Sequence, residues 1–131
     1  MLRSIPFVVI LLKSIKFWGH FDEYANIIRQ SKISLNLSRH SNGIKALTGR
    51  VWQSMHSGCI VVEESSLATS FFWEPWVHYF PFDNIQELKA LLTIFSQETE
   101  LCSKVSKTTY DWTSSRYNAN NIWRYILSKV L

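Results

Sequence analysis

Two strand-like runs flank one short helix, and that order limits what the chain can fold into. Ile33-Ser34-Leu35-Asn36-Leu37 alternates apolar and polar residues at period two, the mark of a strand. The polar stretch Ser38–Gly49 reads as a loop. Thr48 can then cap a helix whose apolar face is Val51, Trp52 and Met55, with Gly58 just past its end. Cys59-Ile60-Val61-Val62-Glu63 follows at once as an apolar strand ending in carboxylates. Strands joined through a helix run parallel, with a right-handed crossover, so this segment predicts a βαβ unit.

The rest of the chain continues the alternation. Ile15–Gly19 reads as a short strand. Phe21–Gln30 reads as a helix that Asp22 can cap, with Tyr24, Ile27 and Ile28 on one face. After Glu64, Ser65-Ser66 opens a loop, followed by the aromatic segment Phe71–Trp76. Val77–Phe80 reads as a strand that Pro81 closes near a sheet edge. Helices are expected over Ile85–Ser96, capped by Asp83 or Asn84, then Glu100–Tyr110 and Tyr117–Val130. The order β-α-β-α-β-β-α-α-α predicts an α/β fold, a Rossmann-like open parallel sheet with helices on both faces. Residues 1–14 are expected to be the remnant or start of a preceding element, and residues 15–131 one domain.

Composition narrows the class. With 47% hydrophobic and 18% charged residues among 131, the chain is not a disordered tail. The balance of 14 Lys+Arg against 10 Asp+Glu is mildly basic, and the basic residues are scattered, so no nucleic-acid arm is expected. A modest positive potential suits an anionic ligand such as a nucleotide diphosphate. Ile5–Leu12 is too short to span a bilayer. Lys13 and Lys16 follow it without a small-residue cleavage site, so a buried element is expected rather than a signal peptide. Cys59 and Cys102 have no C-x-x-C or Cys/His spacing, so neither zinc nor a disulfide framework is expected. A reducing, cytoplasmic setting is the expectation.

In an open parallel sheet, ligands sit at the C-terminal ends of the strands. Here that rim comprises the loop after Leu37, the Thr48–Arg50 helix start and the loop after Glu63. A helix start offers free N–H groups and the positive end of a dipole. With Lys45 and Arg50 beside it, it makes a candidate phosphate site of Lys45, Thr48, Gly49 and Arg50, with Arg39 at its rim. No P-loop or G-x-G-x-x-G pattern is present. Glu63 and Glu64 also border the rim, but adjacent strand residues point to opposite faces and do not form a converging acid/base dyad. The four histidines fall on separate elements without ligand or triad spacing. Trp73, Trp76, Tyr79 and Phe80 could stack a base or sugar, although core packing is the simpler role.

An ordered set of segments carries a family resemblance. It comprises Ser31–Asn36, Leu47-Thr48-Gly49-Arg50-Val51-Trp52-Gln53-Ser54-Met55, Ser57–Glu64, Glu74-Pro75, His78-Tyr79, Phe82 and Glu87-Leu88. The set resembles the C-terminal half of the family-1-like GT-B glycosyltransferases, the group that includes the CgeB-type spore-protein domains. The likeness covers about residues 15–127. It implies a half-domain that binds a nucleotide-sugar donor as substrate, without a cofactor, for transfer of a hexosyl group to a glycan, lipid or protein acceptor. It places Arg50 and its helix at the diphosphate and Gln53 at the ribose, where the family pattern has Glu. It also implies a partner, because the N-terminal acceptor-binding half of a GT-B enzyme is not in this sequence. The expected setting is cell-envelope polysaccharide synthesis, in the cytoplasm or at the inner membrane surface. A non-catalytic interaction module derived from the same fold is the alternative. A capsule-type O-glucosyl/xylosyltransferase is a further one, on the segment Pro75-Trp76-Val77-His78-Tyr79-Phe80-Pro81.

Overall fold

The computed structural model describes residues 21–37 and 45–131. The readings of Ile5–Leu12, Ile15–Gly19 and the boundary at residue 14, as well as Arg39 and His40, lie outside these residues. The described elements are α1 (Phe21–Gln30), β1 (Ile33–Asn36), α2 (Gly49–His56), β2 (Ile60–Glu64), α3 (Leu67–Ser70), β3 (Tyr79–Phe82), α4 (Ile85–Gln97), α5 (Thr99–Arg116) and α6 (Ala119–Val130). The three strands form a parallel sheet in the order β1-β2-β3, with Leu35 opposite Val62 and Val62 opposite Phe80. The expected α/β architecture is present, with helices on both faces.

Strand periodicity divides the core in two. Ile33, Leu35, Ile60, Val62, Phe80 and Phe82 point to one face and pack against Leu88, Leu91 and Phe95 of α4 and Cys102 and Val105 of α5. Val61 and Tyr79 point to the other and pack against Val51 and Met55 of α2 and against Trp73. Around Trp73, the rings of Trp52, Phe72 and Tyr117 meet edge to face or tilted, with centroids 4.4–5.9 Å apart.

α5 joins the two cores. Its Cys102 and Val105 belong to the first core, and Trp112 packs on the second. Between them Ser106 Oγ donates to the carbonyl of Gly58 at 2.5 Å, and Thr109 Oγ1 donates to that of His78 at 2.8 Å. Gly58 and His78 stand just before β2 and β3, so the helix crosses the N-terminal edge of the sheet. Gly58 adopts φ +74°, the left-handed conformation expected past a helix end.

Several boundaries differ from the sequence reading. α5 runs to Arg116, not Tyr110, because its last turns are anchored by Thr113, which accepts a 2.9 Å hydrogen bond from Trp73 Nε1. β3 begins at Tyr79, not Val77, because Glu74–His78 is closed as a turn: His78 N–H donates to Glu74 O and Glu74 N–H to His78 Nδ1. Pro81 lies inside β3 rather than ending it; β3 is an outer strand of the described sheet, where a residue without an N–H is tolerated. Asn84, not Asp83, caps α4: its side chain accepts from Glu87 N–H, while the Glu87 carboxylate accepts from Asn84 Nδ2 and from the N–H of Asp83, the residue before the cap.

Thr113→Val keeps the side-chain volume and strands the buried Trp73 N–H. Chemical denaturation is expected to show a loss of about 1–3 kcal/mol.

Candidate functional site

The second sheet face becomes polar toward its C-terminal rim. Ser34 and Asn36 alternate with Ile33 and Leu35 yet are fully buried, because the face they point to is covered by α2. Ser54 of α2 donates to Ser34 Oγ at 2.8 Å. Nearer the rim, Asn36 Nδ2 donates to Glu63 Oε1 at 2.7 Å, and Thr48 Oγ1 donates to Asn36 Oδ1 at 3.3 Å. Thr48 is the N-cap of α2, so this chain of bonds ties the helix start to the ends of β1 and β2.

Thr48 has the extended backbone of an N-cap, but its hydroxyl is turned to Asn36 and does not cap the helix. The first turn of α2 contains no acidic residue, and a Cβ placed on Gly49 would meet open space. Among the described residues, no side chain caps the first N–H groups of the helix, which carry the positive end of its dipole. Arg50 is half-buried at this opening, and Gln53, three residues on, is exposed on the same side of the helix.

Lys45 is held at the rim by other partners. Its Nζ donates to the Ser65 carbonyl at 2.7 Å and lies 3.6 Å from Glu64. It pins the loop after β2 to the segment before α2. The structure thus gathers Thr48, Gly49, Arg50 and Gln53 on one helix end, with Lys45 beside them tied to Glu64.

Glu63 and Glu64 diverge, as strand geometry requires. Glu63 is fully buried on the α2 face. Burial pushes its carboxyl above the usual range, against the opposing pull of Thr69, Asn36 and the Lys45 charge. Glu63 Oε2 and the neighbouring Thr69 Oγ1 are the buried side-chain oxygens without a hydrogen-bond partner among the described residues. Protonation of Glu63 would let Oε2 donate to Thr69 Oγ1, whereas the ionised carboxylate would accept from the Thr69 hydroxyl. Tyr79 stands close by, its hydroxyl pushed up to about 12 by burial and by Glu63. Sequence reasoning placed Glu63 only at the rim. The available signal was a carboxylate at the end of an otherwise apolar strand.

The remaining singled-out residues divide cleanly. Trp73, Tyr79 and Phe80 are core residues, whereas Trp76 is 60% exposed. His78 is buried, stacks on Trp112 at 4.7 Å and accepts through Nδ1; burial and Arg116 lower its pKa against the pull of Glu74. It is a structural histidine. Among the described residues no group of three or more His, Cys, Asp or Glu could hold a metal ion, and no helix is long and apolar enough to cross a membrane.

A three-stranded parallel sheet flanked by helices, with a helix start at its C-terminal rim, is the architecture of a Rossmann-like domain. Comparison with protein families matches residues 10–128 to the glycosyl transferase-like family. The chain belongs to that family. No curated protein matches the sequence.

Glu63→Gln keeps the bond from Asn36 and supplies a neutral donor to Thr69. Because the folded-state pKa of Glu63 is raised, the native state binds more protons than the unfolded one between the ordinary and raised values. Wild-type stability should therefore fall as pH rises through that window, and the Gln variant should lose less. Denaturant midpoints for both chains from about pH 4 to about pH 8 measure the difference.

Proposed function

We propose that this chain is the donor-binding half of a GT-B-type glycosyltransferase, holding a nucleotide-sugar with its diphosphate at the start of α2. The observation that carries the reading is that open helix start. Its N-cap side chain, Thr48, makes no capping bond, a Cβ on Gly49 would meet nothing among the described residues, and Arg50 is beside it. Backbone N–H groups of the first turn and the Arg50 guanidinium would share the diphosphate oxygens, while Thr48 and Lys45 hold the loop in register. Developing negative charge on the departing diphosphate would be stabilised by the same dipole and cation. Gln53 would meet a ribose hydroxyl through its carbonyl oxygen. No cofactor is required for such a transfer, and the donor is a substrate.

The chain supplies one wall of a two-walled cleft. α6 has no buried residue, and Ile122, Trp123, Ile126, Leu127 and Val130 are all exposed on it. In our reading α6 is the face that meets the acceptor-binding half, supplied by another chain or further sequence. The acceptor would be a glycan, lipid or protein. The unpaired, buried Cys59 and Cys102 suit a cytoplasmic setting. Gln53, where the resemblance expects Glu, favours the second reading, a non-catalytic module that has weakened its donor site.

Uridine diphosphate titrated calorimetrically against the chain is expected to bind, and Arg50→Ala to lose about 1.5–3 kcal/mol of that binding. Gln53→Glu replaces a single carbonyl acceptor by a carboxylate that can take both ribose hydroxyls. It should tighten nucleotide binding by about 1 kcal/mol. Unchanged affinity in Arg50→Ala moves the site away from α2. Equal or weaker binding in Gln53→Glu, with the fold intact, favours the non-catalytic module.

Sedimentation is expected to show concentration-dependent self-association through α6, since its apolar face lacks the cover that exposed patches of this kind normally have. Ile126→Asp should restore a monomer.

A further inference from the structure

Trp76 is one of the aromatics of its segment that the core does not absorb, and its backbone is strained. It is the only non-glycine residue at positive φ among the described residues, at +66°. A bulky side chain in this region is disfavoured unless its surroundings over-determine it. Here they do. Trp76 N–H donates to the Tyr79 carbonyl at 2.8 Å, Pro75 pairs with Tyr79 in an isolated bridge, and His78 N–H closes back on Glu74. The turn holds the indole out of the core, 60% exposed and meeting only the Phe80 ring, edge to face, at 6.1 Å.

The indole lines an open cavity of about 660 Å³, within the range of small-molecule sites. Leu67 and Pro75 add apolar wall. Ser65, Ser66 and Asp83 add polar groups. The Asp83 carboxylate takes part in no hydrogen bond or ion pair among the described residues and can accept two hydroxyls. Ser66 Oγ accepts from Ala68 N–H and keeps its proton to donate. Glu87 also borders the cavity, with both carboxylate oxygens engaged in the α4 cap. Among the described residues the lining carries carboxylates and no Lys, Arg or His, so it disfavours anions and differs in charge from the proposed diphosphate site. An exposed indole beside a free carboxylate and hydroxyls suits a ligand with an apolar C–H face and a hydroxyl rim, which is the chemistry of a pyranose ring.

We propose that this cavity is a binding site for a neutral saccharide, whose pyranose ring stacks on Trp76 and donates hydroxyls to Asp83. Ser65 joins it to the donor side of the rim, because its carbonyl accepts from Lys45. That this sugar takes part in the transfer, held on the donor half and facing the acceptor-binding half across the cleft, rests on the donor-half reading; the site itself does not.

The test is saturation-transfer NMR and calorimetry on the full chain without nucleotide. The neutral probes are maltose, cellobiose and diacetylchitobiose, and choline is the cationic control. At least one saccharide is expected to bind, with saturation strongest on the C–H protons of one ring face. Trp76→Gly removes the stack and places at φ +66° the residue that tolerates it. It should keep the wild-type melting temperature and bind about tenfold more weakly. Asp83→Asn leaves the backbone of the turn untouched and should weaken binding about threefold. The proposal is overturned if no saccharide binds the wild-type chain, if choline binds in their place, or if Trp76→Gly or Asp83→Asn binds as well as wild type. Uridine diphosphate in the same assay separates the two readings. Nucleotide binding without saccharide binding sinks this proposal alone, and the reverse sinks the donor reading alone.

Discussion

The structure depends on α5 crossing the N-terminal edge of a sheet of only three described strands. A parallel sheet buried on both faces needs cover on each, and short strands alone hold little. One helix supplies part of both covers and ties them together through side chain to backbone bonds. Ser106 holds the turn entering β2, and Thr109 holds the turn entering β3. Thr113 then satisfies the indole N–H of Trp73, the largest fully buried side chain. The buried positions of α5 are Cys102, Val105, Thr109 and Thr113, so half of its inward face is hydroxyl. Its work is as much to pair buried polar groups as to bury apolar area, and an unpaired group there costs more than a paired one contributes.

With the N-terminal edge closed by α5, the C-terminal edge is left for chemistry. The two sheet faces differ accordingly. Toward α4 the buried residues of the strands are all apolar. Toward α2 the polarity grows from Ser34, paired with Ser54, to Asn36, which is bonded to both Glu63 and Thr48. That gradient carries the sheet's rigidity to Thr48 and so fixes where α2 begins. A helix start can bind an anion only if its N–H groups are held in one place before the ligand arrives, since ordering them on binding would consume the interaction energy. Burying a carboxyl at Glu63 is costly if it is charged, and proton uptake lowers that cost without breaking the link to Asn36.

The βαβ core was legible because its signals are local. Thr48, the Val51–Met55 stripe and Gly58 lie within one helix length and act through caps and periodicity alone. The misread features are set by distant partners. Asp111-Trp112-Thr113 has weak helix propensity, and it is Trp73 and Phe72, far away in sequence, that hold Thr113 and Trp112 of α5 beyond Tyr110. α3 is a single turn held by the Ser66 cap and leaves almost no periodic trace. The alternation in Ile33–Leu37 correctly marked a strand, but it cannot distinguish a polar face open to water from one bonded to a helix. For the same reason Thr48–Gln53 could be placed at the rim from sequence, whereas the Asn36–Glu63 link beneath it could not. Nor does any local pattern announce a tryptophan at positive φ, because that conformation comes from the closure of Glu74–His78 and the bridge to Tyr79.

The rim that results is divided in charge. On the α2 side lie a helix dipole and Arg50; on the β3 side lie Asp83 and Glu87. Lys45 stands between them, bound to Glu64 and to the Ser65 carbonyl, and its position keeps the two fields from cancelling into one neutral surface. Under the two proposals each side would select its ligand partly by what it repels: carboxylates turn away a phosphate, and a desolvated cation offers little to a neutral polyol. For a group transfer this division has a direct use. A donor that is anionic at one end and a neutral hydroxyl-bearing saccharide would be sorted to opposite sides of Ser65 before any second wall closes over them. Orientation of this kind converts a bimolecular encounter into a local one, and it is a contribution a half-domain can make without a catalytic base of its own.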